Sequence, residues 1–338
     1  MAQEDKPDRN EKVKTEELLT IGVSPHIRDT DTTARIMGWV IIALLPITFY
    51  SIYIGGLSTL VVIVMSVAGA VATEAVIQRL RHMPVTIGDL SALLTGLLLA
   101  LTLPPRIPFW MPLVGGAVAI ALGKQVFGGL GHNIFNPALV GRAFLAAAFP
   151  LTMTTWIPPA MMTVDTATFA TPLGGLKFQE AVVHGMLVPL RDLLWGKTGG
   201  SLGETSAIFL LLGGVYLLSR RTIDWRIPAG IIAALVVFTG VFWVAAPGRY
   251  ASPLFHVLSG GLLLGSFFMA TDMVTSPVTR RATWIYALGI GLVVGLIRLF
   301  GGYPEGVMYA ILFMNAFVPL LEAFLRPRIF GEKKKRTR

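Results

Sequence analysis

The sequence predicts an all-α polytopic membrane protein with about ten transmembrane helices in two inverted five-helix repeats. Three observations support this prediction. Of the 338 residues, 54% are hydrophobic and only 14% are charged, whereas about a quarter of the residues in a soluble domain are charged. Apolar segments of about 20 residues recur along the chain. In addition, the two halves of the sequence resemble each other at a fixed offset.

The apolar segments can be counted, because a helix needs about 20 apolar residues to cross a hydrocarbon core of about 30 Å. Eight segments fit well: 35–54, 57–79, 108–126, 204–219, 227–246, 254–271, 282–300 and 305–325. Two more are short or bounded by proline: 88–103, which stops before Pro104, and 136–150. Such spans are typical of broken helices around a functional site.

Basic residues indicate the orientation, because positively charged loops resist translocation. Lys and Arg follow spans two, six, eight and ten, which end on one side if there are ten spans. We expect that side to be the cytoplasm of a bacterial cell (inner) membrane, with both termini there. The chain then divides into five parts: a cytoplasmic segment (1–34), a first repeat (35–150), an outward loop (151–203), a second repeat (204–325) and a basic cytoplasmic tail (326–338).

Composition also excludes several classes of function. The chain has no cysteine, which excludes disulfides and cysteine-ligated zinc or iron–sulfur sites. A redox role must therefore use an organic cofactor or haem, and we predict no metal site. The net charge of +9 comes from residues that flank apolar spans, so membrane lipid is an expected partner and nucleic acid is not.

The internal repeat appears when the chain is compared with itself at an offset of 173 residues. Nine identical pairs share this offset: Thr102/Thr275, Pro104/Pro277, Gly116/Gly289, Phe127/Phe300, Gly128/Gly301, Gly129/Gly302, Leu139/Leu312, Ala143/Ala316 and Phe144/Phe317. Five spans is an odd number, so the second copy should enter the membrane inverted. We expect helix breaks near Pro104 and Pro277, and a site where the copies meet.

A glycine-rich segment, 128–138, lies just before the fifth span. It contains Asn133 and Asn136, and the Asn136-Pro137 pair can start a helix whose amide groups accept an anion or a carbonyl group. A tight re-entrant turn between helices explains the segment equally well.

Ionisable residues inside apolar spans are costly and therefore suggest function. Glu74 and Arg142 lie inside spans, and Asp89 lies near the end of one, so these three are candidates for an ion pathway. Arg298 and Asp272 are better explained by polar neighbours or by an interfacial position.

Several short motifs follow one another in order along nearly the whole chain. They are 24–26, 128–138, 199–206, 271–277, 302–307 and 314–315. In this order they resemble a known family of membrane proteins, the NqrB/RnfD family. Its members belong to the Rnf electron-transport complex and to the sodium-pumping NADH:quinone reductase. The resemblance, which is to the Rnf type, implies ten spans in an inverted repeat, an architecture shared with urea-transporter-like channels.

The resemblance also implies a covalent cofactor in the outward loop. In this family a threonine of that loop carries FMN, joined through its phosphate by a dedicated flavin transferase. The matching run here is 165–171, which retains four positions of the pattern: Asp165, Thr168, Ala170 and Thr171. It departs from the pattern at Thr166 and Phe169, where glycine or another small residue is usual. Thr171 is therefore the predicted flavin carrier.

The implied function is that of one component of an ion-translocating ferredoxin:NAD oxidoreductase. The chain would pass electrons through its FMN, help to couple them to Na⁺ or H⁺ movement, and act only with the other membrane and peripheral subunits of the complex. A second, noncovalent flavin (riboflavin) is expected near Asn133 and Asn136 or near Gly302 and Glu305. The alternative is a small-solute channel or secondary transporter of the same inverted architecture, which does not need the hydroxyl-rich loop.

Overall fold

The structure is a computed structural model that describes residues 31–156, 171–178, 182–183, 187–196, 198–204 and 206–326. These residues form α-helices, short 3₁₀ and π turns and connecting loops, and no β-strand occurs among them. The α-helices are α1 (Thr33–Leu80), α2 (Ser91–Leu101), α3 (Trp110–Ile120), α4 (Pro137–Ala148), α5 (Pro150–Thr154), α6 (Pro172–Phe178), α7 (Leu190–Trp195), α8 (Ala207–Ser219), α9 (Arg226–Ala245), α10 (Pro253–Leu258), α11 (Leu262–Leu264), α12 (Arg280–Phe300) and α13 (Val307–Phe324).

The long element α1 contains the boundary between the first two predicted spans. Gly56 lies in the middle of this 48-residue element with φ of 68° and ψ of −154°, a backbone conformation that residues with a Cβ atom rarely adopt. The element therefore consists of two helical arms that meet at Gly56, and these arms match the predicted spans 35–54 and 57–79.

Four helices among the described residues are long and apolar enough to cross a membrane: α1, α9, α12 and α13. Three further apolar helices, α2, α4 and α8, have only 11, 12 and 13 residues. The predicted all-α polytopic class is confirmed, but several predicted spans of 15 to 18 residues are shorter helices extended by turns and loops.

Irregular backbone interrupts the membrane region in both halves. Predicted span 254–271 consists of α10, α11 and a π turn at Gly265–Met269, with Gly260 at φ of 69° between the first two. A second π turn, Ala121–Gln125, extends α3. Pro104 and Pro277 both lie outside helices, in the connections before α3 and α12. Non-helical backbone at membrane depth is tolerated where protein buries it or where it lines a cavity.

Glycines allow close packing between the helices of each half. A Cβ atom on Gly116 of α3 would lie 2.4 Å from the carbonyl oxygen of Ser66 on α1. A Cβ atom on Gly291 of α12 would lie 2.4 Å from the carbonyl oxygen of Ile231 on α9. Small residues at such contacts let helix backbones approach each other, which is the usual basis of helix association in membranes.

The helix positions also follow the sequence repeat. Shifting α3 and α4 along the chain by 173 residues brings them within the bounds of α12 and α13. The opposite orientation of the two copies stays a prediction, as do the predicted boundaries of the five parts of the chain.

Candidate functional site

A cavity of about 140 Å³ is lined by residues of the predicted outward loop and of both predicted repeats. We call it the Thr171 cavity. Its polar lining residues are Arg142, Thr154, Thr171, Glu204, Tyr303, Glu305 and Tyr309. Helix α4 contributes Arg142, the residue just before α6 is Thr171, and the loop before α13 contributes Glu305.

The Thr171 side chain is half-buried at the start of α6. Its Oγ1 atom accepts a hydrogen bond from the backbone N–H of Gly174 at 3.0 Å. Threonine is a good N-terminal helix cap, and Pro172 has a fixed φ that suits the first helical position, so the local sequence explains why a helix begins here. The other three predicted residues of this motif, Asp165, Thr168 and Ala170, lie outside the described residues.

An ion pair crosses the Thr171 cavity. Arg142 Nη2 lies 3.1 Å from Glu305 Oε2, and the two side chains are 15% and 19% exposed. Glu305 also accepts a hydrogen bond from the backbone N–H of Gly261. Arg142, predicted as an ionisable residue inside an apolar span, is therefore paired with a residue of the other half of the chain.

A second arginine, Arg298, lies close to Glu305. A Cβ atom on Gly260 would lie 2.9 Å from Glu305 Oε1 and 3.2 Å from Arg298 Nη2. Arg298 is buried and donates hydrogen bonds to the backbone carbonyls of His256 and Ser259. These polar partners agree with the interpretation of Arg298 from the sequence.

Sequence reasoning did not identify Glu204 and Glu305 as a pair of carboxylates that line one cavity. The Oε1 atom of Glu204 is buried and has no hydrogen-bond partner among the described residues. The only signal in the sequence was that Glu204 and Glu305 are each the first residue of a predicted apolar span. Their meeting depends on tertiary structure, because the two residues belong to different connections.

Hydrogen bonds from Lys177 connect α6 to the end of α12. The Nζ atom of Lys177 donates to the backbone carbonyls of Ile297 at 2.9 Å, Arg298 at 3.3 Å and Tyr303 at 2.9 Å. A cation at a helix C-terminus satisfies free carbonyls and interacts favourably with the helix dipole. Partial burial lowers the pKa of Lys177. This contact holds the segment that follows Thr171 against the second half.

Asn133 and Asn136 line a second cavity of about 70 Å³, which Ser91, Lys124 and Asp272 also line. Asn136 caps α4: its Oδ1 atom accepts from the N–H groups of Ala138 at 3.0 Å and Leu139 at 3.4 Å. Its Nδ2 atom donates to the carbonyl of Met269 at 3.1 Å. The sequence therefore predicted the helix start at Asn136-Pro137 correctly. Asn133 is buried, and its Oδ1 atom has no partner among the described residues.

Two of the predicted ion-pathway residues, Glu74 and Asp89, lie in one polar cluster beside this second cavity. Glu74 and Lys124 form an ion pair of 2.5 Å, with side chains 0% and 2% exposed. Lys124 Nζ also donates to Ser91 Oγ at 2.5 Å, and Asp89 accepts from the same hydroxyl at 2.6 Å. Glu74 and Asp89 are thus linked through Lys124 and Ser91, whereas Arg142 belongs to the Thr171 cavity. Sequence reasoning missed Lys124, which lies at the end of an apolar span.

Comparison of the sequence with known proteins shows which family the chain is similar to. The model of the NQR2, RnfD, RnfE family matches residues 20–331. The D-type subunit of the Na(+)-translocating ferredoxin:NAD(+) oxidoreductase complex of Acetobacterium woodii is 47% identical over 320 residues, which are 94% of this chain and 96% of the relative.

Two other relatives have similar coverage. The D-type subunit of the proton-translocating ferredoxin:NAD(+) oxidoreductase complex of Clostridium ljungdahlii is 44% identical over 322 residues, 94% of this chain and 97% of the relative. The D-type subunit of the ion-translocating oxidoreductase complex of Cronobacter sakazakii is 37% identical over 349 residues, 94% of this chain and 100% of the relative. The chain, a multi-pass membrane protein, therefore belongs to the NQR2, RnfD, RnfE family.

Proposed function

We propose that this chain is the D-type membrane subunit of an ion-translocating ferredoxin:NAD oxidoreductase, and that it carries FMN esterified through its phosphate to Thr171. Its partners are the other membrane and peripheral subunits of the complex, and a flavin transferase attaches the cofactor. The observation that carries the proposal is that Thr171 lines one cavity together with Arg142 and Glu305. Relatives that are 44% and 47% identical bear the corresponding name.

The chemistry of the cavity lining fits a flavin phosphate. Thr171 supplies a hydroxyl, and Arg142 is a permanent cation with a planar, donor-rich side chain suited to phosphate or to an anionic ring system. The aromatic side chains of Trp156, Tyr303 and Tyr309 line the same cavity, and the two tyrosine rings lie 5.4 Å apart. Aromatic faces of this kind pack well against a planar ring.

When bound, FMN would supply one- and two-electron transfer. The residues of the chain would then have separate tasks. Thr171 would hold the phosphate, and Lys177 would keep α6 docked through its bonds to three backbone carbonyls at the end of α12 and just after it. Arg142 would face the cofactor while Glu305 fixes its position. The aromatic side chains would exclude water from one side of the cavity.

The proposed coupling is electrostatic. A change of flavin charge is felt strongly in a low-dielectric surrounding, and the Arg142–Glu305 pair joins the two predicted repeats. We propose that reduction of the cofactor shifts helices where the repeats meet, and that this shift drives Na⁺ or H⁺. The relatives from Clostridium ljungdahlii and Acetobacterium woodii are named for different ions, so the proposal covers both.

We also propose a site for a second, noncovalent flavin (riboflavin) at the cavity beside Asn133 and Asn136. The buried Oδ1 atom of Asn133, which has no partner among the described residues, is available to accept a hydrogen bond from a ring N–H group. The predicted orientation puts this cavity towards the cytoplasm and the Thr171 cavity towards the outside of the bacterial inner membrane. Electrons would then cross the membrane between the two flavins.

Attachment is tested by mass spectrometry of the intact chain, expressed together with its flavin transferase. We expect one added FMN mass on the peptide that contains Thr171 and flavin fluorescence of the denatured chain in a gel. Both signals should disappear in Thr171→Ala and persist in Thr155→Ala, which removes an exposed hydroxyl that donates to the carbonyl of Leu151. An unmodified wild-type chain would favour the channel interpretation.

Coupling is tested in vesicles that contain the whole complex. With Thr171→Ala, ferredoxin-driven ion uptake should fall to background, because the electron path through this chain is broken. If coupled pumping continued unchanged, the proposed role of the flavin on Thr171 would be wrong.

A further inference from the structure

A third cavity, of about 500 Å³, lies where α12 ends and beside α6. Its lining contains three cationic side chains, Lys177, Arg249 and Arg298, and no carboxylate among the described residues. Lys177 is occupied by backbone carbonyls, and Arg298 is partly balanced by nearby Glu305. Arg249 is exposed, with its guanidinium 5.8 Å from the ring centre of Tyr250. The cavity therefore has a positive lining with one accessible arginine at its rim.

Two buried groups that line the same cavity lack hydrogen-bond partners among the described residues. His256 is 0% exposed, and neither of its ring nitrogens has a partner. Arg298 is 4% exposed, and its Nε atom has no partner. Leaving a buried donor unsatisfied costs about 1–3 kcal/mol. Because arginine can only donate, a ligand that satisfies this site must offer acceptor atoms, as an oxyanion does.

The rim of the cavity also has exposed apolar side chains, at a helix end where lipid is expected. Phe300 and Val183 line it and are 58% and 59% exposed. Phe300 is the last residue of α12, one of the four helices of membrane length, and the nearby α9 ends at Ala245. Arginine and tyrosine side chains at the ends of membrane helices lie at the depth of lipid headgroups.

We propose that this cavity binds the phosphate group of an anionic phospholipid, whose acyl chains lie against Phe300 and Val183. Arg249 contacts the phosphate from the rim, and Arg298 Nε and the ring of His256 face its acceptor oxygens from inside. The proposal does not depend on the flavin on Thr171, because it concerns a different cavity, and its tests change Arg249 and Val183, which do not line the Thr171 cavity.

The test is native mass spectrometry of the full chain, delipidated in detergent and titrated with phosphatidylglycerol or phosphatidylcholine. We expect the wild-type chain to retain phosphatidylglycerol preferentially. Arg249→Gln should weaken its binding by about fivefold, since an arginine near a lipid surface contributes about 1 kcal/mol. Binding of phosphatidylcholine should not change. The matched control is Arg106→Gln, another exposed arginine that does not line the cavity.

A second variant tests the rim of the cavity, and a second ligand tests whether the cavity binds lipid or free phosphate. Val183→Glu adds a negative charge at the rim and should also weaken phosphatidylglycerol binding. The lipid assignment is overturned if inorganic phosphate stabilises the chain against thermal unfolding as much as phosphatidylglycerol does. Equal retention of the two lipids, or wild-type affinity in Arg249→Gln, would overturn the site itself.

Discussion

The ion pair between Glu74 and Lys124 shows how one residue makes a buried charge on another energetically tolerable. Both side chains are almost fully buried, and removing two charges from water costs several kcal/mol per ion. The attraction over 2.5 Å and the added contacts with Ser91 and Gln78 offset that cost. Each charge is therefore tolerated only while its partner is present.

The first prediction concerns this pair. Glu74→Gln should destabilise the chain by about 3–5 kcal/mol, because it leaves the Lys124 ammonium buried without its counter-charge. The double variant Glu74→Gln/Lys124→Met should recover most of that loss, since no charge remains. Thermal unfolding in one detergent, followed for both variants and the wild type, measures the difference. A double variant that is less stable than Glu74→Gln would contradict the explanation.

At the scale of secondary-structure elements, glycine determines how closely helices approach. The backbones of α1 and α3 meet at Gly116, and those of α9 and α12 meet at Gly291, with no room for a Cβ atom in either place. In a membrane the hydrophobic effect does not hold helices together, so such close contacts carry much of the association energy. Substitutions here act on the contact between elements and not on the helices themselves.

The second prediction follows from this contact. Gly116→Leu should force α3 away from α1 and reduce stability by about 1–3 kcal/mol, the usual cost of overpacking. Gly248→Leu is the matched control, because a Cβ atom at Gly248 would meet no atom within 4 Å. The melting temperatures of the two variants are compared, and that of Gly116→Leu should be the lower. Equal melting temperatures would show that the α1–α3 contact tolerates the side chain.

The elements themselves were largely predictable from apolar length and proline position. The pattern predicted the two arms of α1, the helix that starts at Asn136-Pro137 and the positions of α9, α12 and α13. It did not predict that span 254–271 is broken at Gly260 or that α2 has only 11 residues. Hydropathy measures only how apolar a segment is, and it does not distinguish a continuous helix from one whose backbone is interrupted beside a cavity.

At the scale of the whole molecule, the two predicted repeats are joined by polar contacts as well as by packing. Arg142 and Glu305 are 163 residues apart in the chain and form an ion pair across the Thr171 cavity. No local pattern in the sequence predicts a pairing at that separation, since it depends on the tertiary arrangement of α4 and the loop before α13. The motif singled out the hydroxyl of Thr171, whereas Arg142 and Glu305 were singled out for other roles and were not predicted to lie beside it.

The third prediction tests whether this pair couples the halves. In a double-mutant cycle with Arg142→Gln and Glu305→Gln, we expect a coupling energy of about 0.5–3 kcal/mol in thermal unfolding. The control cycle uses Arg226→Gln and Asp224→Asn, a pair of 2.9 Å at the start of α9 whose side chains are 24% and 35% exposed. That local pair should couple by less than about 1 kcal/mol. Additive effects of the two Arg142–Glu305 substitutions would contradict the proposed link.

Asn136 has a consequence for how the cavity beside it responds to ligands. One amide group both caps α4 and holds the carbonyl of Met269 in the π turn of the other half. A ligand that takes the Oδ1 atom, or the N–H group that donates to Met269, displaces one of those bonds, so its affinity is lowered by the free energy of the contact it breaks. By thermodynamic reciprocity, binding of that ligand weakens the contact by the same free energy. Occupancy of this cavity and the contact between Asn136 and Met269 are then coupled parts of one equilibrium.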